Sequence, residues 1–331
     1  MPLATREQYA QMLDSAAAGQ HALAAVNVTS SQTMHAAMRG FSEAGADGIL
    51  QVTTGGASYL GGGVMLAGAR GLAAMAQRVA DHYPALIALH TDHCPPEHAD
   101  AFLRPLLAEA VDRGARGEDP LFASQMFDGS SLPLEENLRQ CDELLATCAK
   151  AGVILELECG VVGGAEDDVK AEDDSRLYTD SSEFLRVAEV LATGERGRYL
   201  LAPAFGNTHG LHATPAQLRP DILKDGQQVL ADTHPGARFD YVFHGSSGSS
   251  TADIKAAIAN GVVKINVDSQ MQLAFSAAVA EHFEAHGHEL RTSKAVFDPR
   301  SWGRAGEKAM AEAVAQACEE YGAVGKSLVS R

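Results

Sequence analysis

The chain has 331 residues, with 43 acidic against 26 basic side chains and a formal net charge of −17; such a surface repels nucleic acid and anionic membranes, and no Lys/Arg-rich run offsets it. Its length exceeds a typical single domain but suits a (β/α) barrel built as one unit. The five cysteines (Cys94, Cys141, Cys148, Cys159, Cys318) form no C-x-x-C pair, nothing at the N-terminus reads as a signal peptide, and no stretch has the ~20 apolar residues of a bilayer span, so a soluble, cytoplasmic protein acting on small molecules is expected.

In chain order, a helix is expected over about residues 5–17, followed by eight short apolar runs: AAVNV (24–28), GILQV (48–52), LIALHTD (86–92), LFASQMF (121–127), VILELE (153–158), YLLAPAF (199–205), DYVFHG (240–245) and GVVKINVD (261–268). Each reads as a strand. Helical periodicity fills intervals between them, through Met34, Met38 and Phe41; Leu72, Met75 and Val79; Leu138, Cys141, Leu145 and Cys148; and Phe184, Val187 and Leu191. Gly45, Gly152 and Gly194 stand where helices should end. Pro95 and Pro96 suit a first helical turn, and Ser250 a cap for the helix carrying Ile254 and Ile258. A long helix is expected over about 301–322. Eight βα units with no intervening linker predict a TIM (β/α)8 barrel with additional N- and C-terminal helices, residues 1–331 forming one domain.

A barrel of this kind builds its active site at the carboxyl ends of its strands. There the sequence places Asn27, Asp92 and His93, Asp128, Glu158, Asn207 and His209, His244, and Asn266 with Asp268. His93, His209 and His244 offer three neutral imidazoles with one position left open, the arrangement of catalytic zinc, although no local H-x-x-x-H motif supports it. The other histidines, His21, His35, His82, His98, His212, His234, His282, His286 and His288, are expected on the surface, the last two in a mobile stretch. "NTHGLH" (207–212) and "HGSSGSS" (244–250), and more weakly "TTGGAS" (53–58), fit either phosphate-binding loops or ordinary βα turns. The stretch 160–179 reads either as a lid hinged at Gly163 and Gly164 that carries Glu166, or as a solvated acidic loop.

Taken together, "NVTSSQT", "DGILQVTTGGAS", "ALHTDHCP", "LELECGVVGGAEDDV", "YLLAPAFGNTHG", "FDYVFHGSSGS", "GVVKINVDSQMQ" and "FDPRSWGRAGEKAM" resemble the class II, metal-dependent fructose-1,6-bisphosphate aldolases over nearly the whole chain. The resemblance implies that His93, His209 and His244 ligate a catalytic zinc ion, with Asp128 and Glu158 able to hold it, or a second divalent ion, beside His93. It makes Asp92 the residue that exchanges a proton with the C4 hydroxyl, and Glu166 the one that handles the proton at the dihydroxyacetone phosphate carbon. Gly210, Gly245, Ser247, Asp268 and Ser269 match the cradle for the dihydroxyacetone phosphate end, aided by a monovalent cation (Na+ or K+), and Asn266 joins the substrate-binding set. Asn27, Thr53 and Arg300 match the opposite phosphate site. In the family that arginine arrives from a neighbouring subunit, which implies a homodimer or higher homo-oligomer.

The implied reaction is the reversible cleavage of fructose-1,6-bisphosphate to dihydroxyacetone phosphate and glyceraldehyde 3-phosphate, in glycolysis and gluconeogenesis. Zinc on the ketose oxygens would spread the developing charge into an enediolate without a lysine Schiff base. Several positions depart from the pattern: Ala165 replaces a glutamate beside the loop catalyst, Ser246 the middle glycine of "HGGSG", Thr53 a serine and Ser269 a threonine, and the usual lysine is missing near Ala213. Competing expectations are an aldolase for another ketose bisphosphate such as tagatose-1,6-bisphosphate, a zinc hydrolase barrel, and a non-catalytic binding protein. A hydrolase would usually carry H-x-H on its first strand, where "AAVNV" has none, and a binding protein would tolerate loss of Asp92 or a ligand histidine.

Overall fold

The computed structural model describes residues 3–160, 162–166, 169–170, 177–209 and 217–329. Eight strands form the centre: β1 (Leu23–Asn27), β2 (Gly48–Val52), β3 (Ile87–Thr91), β4 (Ser124–Phe127), β5 (Ile154–Cys159), β6 (Tyr199–Pro203), β7 (Tyr241–Phe243) and β8 (Val262–Val267). Each is buried along its whole length, which is why these segments read as near-continuous apolar runs rather than alternating ones. Every strand pairs in parallel with its sequence neighbours, and β1 closes on β8 with Leu23 opposite Lys264 and Ala25 opposite Asn266. The expected eight-stranded (β/α) barrel is therefore present, its strand limits shifted by at most a few residues.

Helix ends follow local chemistry. The first helix, Arg6–Gly19, opens with a capping box between Thr5 and Gln8, and Gly45 (φ 61°) and Gly152 (φ 66°) terminate their helices in the left-handed conformation. Ser250 caps Thr251–Ala259 by accepting from the Asp253 amide, and Pro96 begins a helical turn. Gly194 does not end its helix. Ser181–Leu191 stops two residues earlier at Ala192, which takes φ 62° and whose carbonyl accepts a hydrogen bond from the Tyr199 hydroxyl at 3.1 Å. The C-terminal helix spans Pro299–Glu320. A further helix, Ser269–His286, ends at the first histidine of the stretch expected to be mobile, and His288 lies in the short turn Gly287–Glu289; the helix buries only Met271, so periodicity gave it no signature. His21 is the other departure, since it is only 3 % exposed rather than on the surface.

The first helix plugs the amino-terminal end of the barrel. Tyr9, Met12, Leu13 and Ala16 pack with Leu23, Ile49, Leu86, Leu200 and Val242, all near strand starts, in an apolar cluster separate from the layer between strands and outer helices. The plug seals one end of the barrel and leaves the strands' carboxyl ends to carry polar groups. Among the described residues, no helix is long and apolar enough to cross a membrane.

Leu13 is fully buried in this plug, so Leu13→Ala should lower unfolding stability by about 2–5 kcal/mol. Urea denaturation followed by fluorescence checks this; an unchanged midpoint would mean the plug adds little to stability.

Candidate active site

Residues two apart on a strand share a face, and this spacing stacks His90 with Asp92, Glu156 with Glu158, and Lys264 with Asn266. At the upper level the chemistry converges. Donor atoms of Asp92, His93 and His244 lie within 4.8 Å of one another, as do those of His93, Asp128 and Glu158. The His93 and His244 rings meet edge to face with centroids 4.7 Å apart. Asp128 Oδ2 is 2.8 Å from His93 Nδ1, and Ser130 donates to the other carboxylate oxygen from both its hydroxyl (2.6 Å) and its amide (3.1 Å). Burial alone would raise the Asp128 carboxyl, but His93 and Ser130 hold it below the usual range. An ionised Asp128 accepts the Nδ1 proton of His93 and leaves Nε2 as that ring's lone-pair nitrogen.

Asp92 is fully buried and accepts from three amides: Asn27 Nδ2 (2.9 Å), Gln51 Nε2 (2.9 Å) and Asn266 Nδ2 (3.0 Å). Burial pushes its carboxyl up, yet the charge of His93, the His90 ring and Lys264 outweigh that and keep it well below the ordinary carboxylate value. Asn27, which the sequence expectation set in a phosphate site, here donates its amide to Asp92. Deeper in the barrel, Glu156 receives the Lys264 ammonium at 2.9 and 3.0 Å and faces His244 Nε2 at 2.9 Å, all three side chains being fully buried. Desolvation opposes ionisation of Glu156, but Lys264, His90 and His244 pull its pKa down to about 2. Glu158 Oε2 lies 3.2 Å from His244 Nδ1. For His244, burial disfavours the charged ring, while the two carboxylates overcome it and raise the pKa to about 9.

The loops close around this centre. Gly245 takes φ 62°, and a Cβ there would lie 2.6 Å from the Thr208 carbonyl, so only glycine lets the loop after β7 approach the short strand Thr208–His209. That strand pairs in parallel with Gly163–Glu166, which folds back on Val169–Lys170, so backbone pairing brings Glu166 and His209 into one small sheet. Gly210 lies outside the described residues, as do positions 161, 167–168 and 171–176 of the acidic stretch and 211–216 beyond Gly210. Ser246 is accommodated: its hydroxyl donates to the Asn266 carbonyl at 2.9 Å. Ser247 follows it at the rim, Asp268 precedes the helix begun by Ser269 and accepts from Gln272 at 2.6 Å, and Thr53 caps the short helix Thr54–Leu60. Arg300 is not brought to the centre. Its side chain is 75 % exposed and grips Asp298 with two nitrogens at 2.6–3.2 Å.

The profile of the family described as "Fructose-bisphosphate aldolase class-II" matches residues 7–326. The chain belongs to that family. It is 45 % identical to the "Fructose-bisphosphate aldolase" of Mycobacterium leprae over 344 residues, covering 100 % of both, and 47 % identical to that of Streptomyces galbus, covering 99 % of this chain and 100 % of the relative. A solved "Fructose-bisphosphate Aldolase (Fba)" from Campylobacter jejuni superposes with a TM-score of 0.87 at 29 % identity, covering 98 % of this chain and 97 % of that one.

Class II aldolases are metal-dependent, and the donor set of this one fits a divalent ion: imidazole nitrogens and ionised carboxylates whose outward atoms are already within 4.8 Å. Gln51, His90, Glu156 and Lys264 escaped the sequence reading because each lies inside an apolar run. Their signal was a charged or polar residue two positions from a candidate, as in "HTD", "ELE" and "KIN". Cys94, beside His93 in sequence, takes no part: it is buried and its thiol is pushed up to about 12.

A pH dependence follows from His244. With its pKa raised to about 9 by Glu156 and Glu158, the ring carries an extra proton at neutral pH, which an ion taking His244 as a ligand would have to expel. Zinc uptake should release that proton, and apparent affinity should weaken by up to about tenfold per unit as pH falls from about 9 to 7. Calorimetric titration in buffers of different ionisation enthalpy checks this; uptake without proton release would contradict it.

Proposed function

We propose that the chain catalyses the metal-dependent, reversible cleavage of fructose-1,6-bisphosphate to dihydroxyacetone phosphate and glyceraldehyde 3-phosphate, the reaction named for its relatives. The observation that carries this reading is the convergence of Asp92, His93 and His244 at the carboxyl ends of β3 and β7 in a member of the class II family. His93, His209 and His244 would hold the ion, zinc in this reading, whose Lewis acidity would polarise the ketose carbonyl. Asp128 and Glu158 form the alternative, or second, divalent position beside His93.

Asp92 takes the proton of the C4 hydroxyl during cleavage and returns it during condensation. Three amides fix its carboxylate, so little reorganisation accompanies the transfer. Glu166 moves the proton at the dihydroxyacetone phosphate carbon; the small sheet that joins its strand to Thr208–His209 gives its loop a route to the mouth. Gly210, Gly245, Ser247, Asp268 and Ser269 hold the phosphate at that end with a monovalent cation, and Asn266 completes the contact set. Thr53 and Arg300 serve the other phosphate, Arg300 reaching across to a partner subunit. Two features support a homodimer or larger homo-oligomer: Arg300 is displayed outward, and the helix Ser269–His286 buries only one residue in the single chain.

Lysine chemistry has no place in this scheme, because the Lys264 ammonium is committed to Glu156 and, at 2.6 Å, to Asn266 Oδ1. The relatives' names favour the fructose epimer over the tagatose one. All five cysteines are free and buried, which fits a reducing cytoplasm. The barrel, with its first and last helices, is read as one domain over residues 1–331.

EDTA should abolish cleavage of fructose-1,6-bisphosphate and borohydride should trap no adduct; a chelator-resistant enzyme that borohydride inactivates would reject the mechanism. Glu166→Ala should lower kcat by more than about tenfold with metal content unchanged. Near-normal turnover would assign that proton transfer to another residue. Coupled assays on the two epimeric bisphosphates should show preference for fructose.

A further inference from the structure

We infer that Lys264 is a positioning residue: through Glu156 and Asn266 it sets which nitrogen of His244 faces the ion and which end of the Asn266 amide faces Asp92. This rests on the site reading above and extends it to a residue outside that site.

An ammonium only donates, so the amide group facing Lys264 Nζ at 2.6 Å must be the oxygen of Asn266. The amide nitrogen is thereby turned the other way, where it donates to Asp92 Oδ1 at 3.0 Å. Without the lysine, either end of Asn266 could face Asp92, and an amide oxygen there would repel the carboxylate. The same ammonium lies 2.9 and 3.0 Å from the two oxygens of Glu156 and keeps that carboxylate an acceptor. His244 Nε2, 2.9 Å from Glu156 Oε1, must then carry the proton of that hydrogen bond. A nitrogen that donates has no lone pair for a metal, so ligation falls to Nδ1, which already faces Glu158 at 3.2 Å among the other candidate ligands. Glu156 has one more neighbour: His90 Nε2 stands 3.5 Å from Oε2, while His90 Nδ1 meets the Ser124 hydroxyl at 2.8 Å. Among the described residues, Lys264 is the one that donates to both Glu156 and Asn266.

The test uses the full-length enzyme carrying Lys264→Met with Glu156→Gln, which removes both charges at similar volume and leaves no buried unpaired ion. The introduced glutamine amide can either accept from or donate to His244, so it no longer selects a nitrogen. We expect a folded protein whose zinc dissociation constant is about ten- to a hundredfold weaker, measured by competition with a chromophoric chelator. In the metal-saturated variant kcat should fall by at least about tenfold with KM within about threefold of the parent. Zinc affinity and kcat both within about threefold of the parent would overturn the inference. Should the variant fail to fold, the parent decides: long-range proton–nitrogen spectra of the zinc-loaded, 15N-histidine-labelled enzyme should show His244 protonated at Nε2 and ligated through Nδ1. The opposite assignment would also overturn it. Failure of the underlying site reading looks different: the parent and His244→Gln would then bind zinc equally well.

Discussion

Glu156 and Lys264 face each other at the centre of the barrel with no exposure to solvent. Moving either charge out of water costs several kcal/mol, which only a close partner and a full set of hydrogen bonds can offset. Each therefore constrains the other and everything that touches them. His244 leans on the carboxylate, Asn266 on the ammonium, and Asp92 on Asn266. His244, the proposed metal ligand, and Asp92, the proposed proton-transfer group, are thus oriented from beneath by the same pair.

The barrel is layered along its axis. At the bottom, the first helix supplies a largely apolar plug; above it comes the charged layer, and above that the buried carboxylates and imidazoles at the strands' carboxyl ends. One hydrogen-bonded chain crosses the boundary, from the Tyr9 hydroxyl through Ser124 to His90. The layering separates stability from chemistry, because strand starts can be optimised for packing while strand ends vary in polarity. It also explains why the loops after β5 and β6 pair with each other through a few backbone hydrogen bonds: they need only approach a centre that is already ordered below them.

Much of this was legible in the chain. Eight buried strands announced themselves because burial on both faces removes the polar alternation that would otherwise blur short segments. Convergence of Asp92, His93, Asp128, Glu158 and His244 followed from their common position at strand ends. Other features were hidden for physical reasons. The helix Ser269–His286 has no buried stripe to write into the sequence. Ala192 took the helix-ending role assigned to Gly194, its carbonyl held by the hydroxyl of Tyr199 at the start of the next strand, a contact that no local signal at the helix end records. His21 looked like a loop residue because its cover comes from the other end of the chain, beside Gly322 and Lys326. Lys264 and Glu156 were passed over because each is a single charged residue inside an apolar run, and their pairing across the barrel is visible only in the fold.

The plug has a consequence for how the molecule is made. The first helix precedes every strand in the chain, yet the surface it covers is assembled from residues as distant as Leu200, Val242 and Val263. During translation it must wait, its apolar face without a home, until the last strand leaves the ribosome and β8 can close on β1. A segment made before any of the strands thus docks on a surface that is complete only once all eight have emerged.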